Sequence, residues 1–109
     1  MDATHLPELV DQLLTSAHSA RSGRAAQTLY GSADHHLRQT VIALVAGHRL
    51  TDHESPGEAS LQVLRGHVTL TTANGSWEGV DGDLVVIPPE RHGLAAQQDS
   101  VVLLTVVTS

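Results

Sequence analysis

After Gly23 the spacing of apolar residues shifts from a helical period to short β-favouring runs and does not shift back. No other feature restricts the fold as much. The runs, rich in Val, Leu, Ile and Thr, lie near 26–30, 37–46, 60–65, 67–73, 76–80, 83–87, 92–97 and 101–107. Turn residues separate them at the intervals expected of a sandwich or barrel. Asn74-Gly75, between Val68–Thr72 and Ser76–Val80, predicts a two-residue hairpin with a type I′ turn. Asp81-Gly82 and Gln98–Ser100 mark two further turns, and Ser55-Pro56-Gly57 marks a loop. The chain is therefore expected to be all-β beyond its first two dozen residues.

Those first residues follow a different pattern. Leu6, Leu9, Val10, Leu13, Leu14 and Ala17 recur at helical spacing over 6–17, with Glu8, Asp11, Gln12 and Thr15 opposite. Pro7 is tolerated in a first turn, and Glu8 and Asp11 suit the positive end of the helix dipole. The organisation expected is one domain: a helix and linker over 1–24, then a barrel over 25–109. The run Val101–Val107 is apolar at both alternating sets of positions. Such a strand needs cover on two sides, one from the barrel interior and the other from the helix or a second subunit. A homodimer is expected on this ground.

Composition narrows the function. The chain has 109 residues, enough for one domain, and 40% are hydrophobic, enough for a core. It has no Phe, a single Trp at 77 and a single Tyr at 30, so aliphatic side chains must fill that core. There is no Cys, which rules out disulfides and thiolate metal sites. The acidic start MDATHLPELV lacks the basic region of an export signal, and no apolar stretch approaches a membrane span. A cytoplasmic location without membrane association is expected. The net charge of −6 and only six basic residues, all Arg, argue against nucleic acid as a partner.

Chemistry is concentrated in eight histidines: 5, 18, 35, 36, 48, 53, 67 and 92. His5 and His18 accompany the helix, and His35 and His36 sit in a loop, where solvation is the ordinary role. His53 and His92 stand in recognisable frames. Gly47, five residues, His53, one residue, Ser55, three residues, Ala59, six residues and Gly66 form the first frame. Gly82, five residues, Pro88 and, shortly after, His92 form the second. The span between the frames, 67–81, holds the Asn74-Gly75 hairpin. Together these frames resemble the two motifs of a small single-domain cupin of the RmlC-like type.

The resemblance implies a cupin-type double-stranded β-helix, a jelly-roll barrel, preceded here by a short N-terminal helix. It also implies a divalent metal (zinc, nickel, iron or manganese) held inside the barrel by two His and a Glu from the first motif and one His from the second. His53 and His92 match two of those ligands. Ser55 stands at the second His and Ala59 at the Glu, while Glu58 is one residue out of register and would point to the other face. Glu90 replaces a usual glycine. His48, Glu54, Glu58, His67 or water would have to complete a rearranged shell.

The expected function is small-molecule binding inside the barrel, with His53, Ser55, Gln62 and His92 as polar groups in an apolar cavity. Trp77 either walls that pocket or packs the core, and Arg91 either balances an anionic ligand or is solvated. The alternative is a small metal-dependent or histidine-based cupin enzyme, a dioxygenase or an isomerase/epimerase, with His53 or His92 as base. No catalytic residue is assigned by spacing alone. A third class is an accessory protein that works through surface contacts.

Overall fold

The computed structural model describes residues 1–54 and 57–108. The first helix, α1, runs Leu6–Ser19 with Pro7 in its opening turn, where a missing N–H costs nothing, Glu8 near its start and His18 near its end. Its apolar stripe buries Leu9, Val10, Leu13 and Ala17.

Nine strands follow among the described residues: β1 Arg24–Tyr30, β2 Leu37–Leu44, β3 Arg49–His53, β4 Glu58–Arg65, β5 His67–Thr72, β6 Gly75–Val80, β7 Leu84–Ile87, β8 His92–Ala96 and β9 Ser100–Val107. They form two sheets, one ordered β1-β2-β9-β4-β7 and the other β3-β8-β5-β6. Every pairing is antiparallel. The two sheets face each other across one core, the architecture of a jelly roll.

Register decides which side chains meet. β9 pairs with β2 without a break from Leu37 opposite Val107 to Leu44 opposite Ser100, and with β4 on its other side. Alternation along these strands sends Leu61, Val63, Val102 and Val106 into the space between the sheets, where they meet Val68, Leu70, Leu94 and Ala96. The opposite set, Val41, Ala43 and Val101, lies beneath α1 against Leu9, Val10, Leu13 and Ala17. Each fully buried Val or Leu side chain among these contributes roughly 1.5–3 kcal/mol. The helix is thus the second cover required by Val101 and Leu103 of β9. It does not extend over β7, where Leu84 is 63% and Val86 76% exposed.

Two local features differ from expectation. β3 departs from the expected pattern because Leu50 is its one apolar side chain packed on the core and the rest of Arg49–His53 is polar and exposed. The hairpin after β5 does form, but Thr72 pairs with Gly75, so its two turn residues are Ala73 and Asn74. Among the described residues no non-glycine has a positive φ, which excludes a type I′ turn at Ala73–Asn74. Gly75, at φ 148°, instead opens the return strand, while the Thr72 hydroxyl accepts from the Asn74 N–H at 3.2 Å.

Candidate functional site

The site is built by a bulge. In β3, Leu50 pairs with Leu94 and His53 with His92, so Thr51 and Asp52 together oppose the single residue Gly93. Leu50 and His53 are three residues apart, and plain alternation would send them to opposite faces. The extra residue restores His53 to the face of Leu50. On β8, His92 alternates with Leu94 and Ala96 of the core, and Thr72 of β5 is its partner on the other side. One end of the barrel therefore carries His53, His92 and Thr72 in a row across three strands.

The two imidazoles meet edge to face with centroids 4.4 Å apart. His92 is only 4% exposed, whereas His53 faces solvent. His92 Nδ1 lies 2.9 Å from the Glu90 carbonyl, and His53 Nδ1 lies 3.1 Å from the Thr51 carbonyl. A carbonyl can only accept, so both Nδ1 atoms carry the proton, and in the neutral rings both Nε2 atoms are left as acceptors. Among the described residues no buried side-chain nitrogen or oxygen lacks a partner. Among the described residues His92 Nε2 has no hydrogen-bond partner, and it opens to the barrel mouth.

Polar contacts between loops frame this mouth. The Asn74 side-chain amide at the hairpin tip donates to the Glu90 carboxylate in the β7–β8 connection. Arg91 Nη1 sits 3.3 Å from Glu54, and its Nη2 donates to the Asp52 carbonyl at 3.3 Å. The Asp52 carboxylate lies against the α-carbon of Gly93, on the outer side of the sheet. The chain neighbours of the two histidines thus include three carboxylates, with Asp52 on the outer face, Glu54 paired with Arg91 and Glu90 accepting from Asn74.

Solved structures share this architecture. A conserved protein of unknown function from Streptococcus pyogenes superposes with a TM-score of 0.74 at 28% identity, over 83% of this chain and 78% of that one. A cupin superfamily protein from Desulfitobacterium hafniense gives 0.73 at 17% identity, over 83% of each chain. The fold is that of the cupins. A variant of salicylate 1,2-dioxygenase from Pseudoaminobacter salicylatoxidans, in complex with gentisate, gives 0.77 at 20% identity, and 92% of this chain spans 32% of that one. No family model and no curated protein matches the sequence.

Within the cupin barrel the expected site residues separate. His53 and His92 come together. Ser55 lies outside the described residues. Gln62 is on the outer face of its sheet, opposite Leu84 and Leu103, because its neighbours Leu61 and Val63 take the inner positions. Trp77 does face inward, packed against the core, but its indole is folded over Gly79, away from the histidine end of the strand. Ala59, at the cupin glutamate position, is buried beside Ile87 and Val106.

The residues that could have completed a rearranged shell are placed elsewhere. The His48 ring lies flat over Gly23. His67 reaches Glu78 at 3.2 Å on the outer face. Glu54 pairs with Arg91, and Glu58 is exposed beside a groove of about 880 Å³ lined by Ser60, Val86, Pro89, Thr105 and Val107. Among the described residues no three His, Asp, Glu or Cys side chains group as a metal site would require.

Sequence reasoning missed Thr72 and Glu90 as parts of the mouth. Thr72 ends a strand whose alternation from Val68 and Leu70 leads to it directly, so its inward position was legible. The contact from Glu90 to Asn74 joins residues 16 apart in the chain, and no local pattern signals it.

Proposed function

We propose that this cupin barrel is a small-molecule binding module whose ligand enters at His53 and His92. One observation carries the proposal: a buried imidazole whose Nε2 has no partner among the described residues stands beside a second, solvent-facing one at the end of an apolar barrel. A few aimed polar groups beside an apolar interior are the ordinary makings of a ligand site. The cupin metal does not fit the residues present. A resident zinc, nickel, iron or manganese normally rests on three or four protein donors, and here two imidazoles stand with Ala59 where a carboxylate would be. The function proposed therefore does not pass through a metal. The enzyme alternative draws support from the likeness to salicylate 1,2-dioxygenase, which at 20% identity extends to the fold.

A homodimer remains part of the proposal. Leu84 and Val86 are left uncovered on the outer face of edge strand β7, and Val107 of β9 is 43% exposed on the same side of the sheet. The test is native mass spectrometry and metal analysis of untagged protein, with His53→Ala and His92→Ala beside it. The expected result is less than one metal per five chains and an organic adduct that both variants lose. A stoichiometric metal lost in both variants would overturn the proposal.

A further inference from the structure

The chemistry of the mouth points to a class of ligand, and this step rests on the binding function just proposed. Both Nδ1 protons are spent on backbone carbonyls, of Thr51 and Glu90. In the neutral rings what remains is a pair of acceptors, and an acceptor pair is satisfied by a ligand that donates. A carboxylate ligand offers only acceptors and would leave both nitrogens facing lone pairs, an arrangement that costs the desolvation of each unmatched group. The hydroxyl of Thr72 does not change this balance, since its proton goes to the Gly75 carbonyl at 3.4 Å and its oxygen accepts from the Asn74 N–H.

Charge points the same way. In the chain Asp52 and Glu54 flank His53 and Glu90 lies two residues before His92, while the neighbouring Arg91 is held by Glu54 and the Asp52 carbonyl rather than left for an anion. The whole chain carries −6. We infer that the His53–His92 site takes a small organic cation bearing N–H donors, such as an amidine, guanidine or amine, and discriminates against carboxylates.

Benzamidine and benzoate make the test, since they share a ring and a planar head and differ in whether that head donates or accepts. Binding is read at neutral pH from the ring resonances of His53 and His92 in chelator-treated protein. The expected result is that benzamidine binds at least ten-fold more tightly than benzoate, that His53→Ala weakens it by about ten-fold, and that His53→Gln, which keeps an acceptor, recovers part of the loss. His53 is exposed, so neither variant threatens folding. Benzoate binding as tightly as benzamidine, and lost in His53→Ala, would overturn this inference and leave the binding function standing. If neither probe moves the two rings and the native mass shows no adduct, both fall together.

Discussion

Gly79 lies on β6 with the far edge of the Trp77 indole folded against its α-carbon. A Cβ built there meets three ring atoms of Trp77 closer than real Cβ atoms approach anything, so Gly79→Ala must displace the indole. Two opposing terms set the result. The φ of Gly79 is not positive, so alanine fits the backbone, and the loss of unfolded-state freedom would by itself stabilise the protein by about 0.4–1 kcal/mol. Overpacking against a side chain lodged on the core costs about 1–3 kcal/mol. The net expectation is a destabilisation of about 1–2 kcal/mol, or roughly 4–8 °C in Tm for a domain of this size. Trp77 is the chain's only tryptophan, so its emission reports on the same event without labelling. Thermal unfolding followed by fluorescence should show a lower Tm and a red-shifted native spectrum. An unshifted spectrum with a Tm equal to or above that of the parent would refute the placement of the indole over Gly79.

Other outcomes follow from the packing and the charges. Leu13→Ala removes a buried side chain between α1 and β9 and should cost about 2–4 kcal/mol by denaturant titration; a loss below 0.5 kcal/mol would show that the helix is not a structural cover. Asp99 accepts from the Ala46 N–H at 2.9 Å and from His18 at 2.6 Å, and these bonds, the backbone one first, hold its carboxyl below the ordinary value. A depressed folded-state pKa means that the unfolded chain binds the extra proton first. The contribution is therefore fully present above about pH 4 and is lost as pH falls through the folded value. Asp99→Asn should flatten the acid limb of the stability profile and leave the profile near pH 7 parallel to that of the parent. Val86→Glu places a charge on the uncovered face of β7 and should reduce any dimer seen by light scattering without lowering Tm by more than a degree or two.

The fold was legible because its determinants are local and repeated. The alternation of Ala59, Leu61 and Val63, the two-faced run of β9 and the helical spacing from Leu6 to Ala17 each state which sides are buried. β3 was hidden because one inward leucine and a bulge leave no period of two to detect. The same bulge decides that His53 shares the face of Leu50, and a bulge is a tertiary outcome of pairing with β8. Gln62 was a legible error, since Leu61 and Val63 on either side already claimed the core. The turn at Ala73–Asn74 was found in nearly the right place with the wrong chemistry: the Thr72 hydroxyl caps it, and glycine serves the residue after it.

The position of β9 has a consequence for how the chain reaches its final state. Among the described residues it follows the eight other strands in sequence, yet it is the middle strand of the larger sheet, bonded to β2 and β4 on either side. While the polypeptide emerges from the ribosome, β2 and β4 wait with open edges until Ser100–Val107 appears between them. Long-range pairings of this kind fold slowly and leave sticky intermediates exposed in the meantime. The barrel thus cannot close before its keystone strand has been made, and until then the facing edges of β2 and β4 are open to wrong partners.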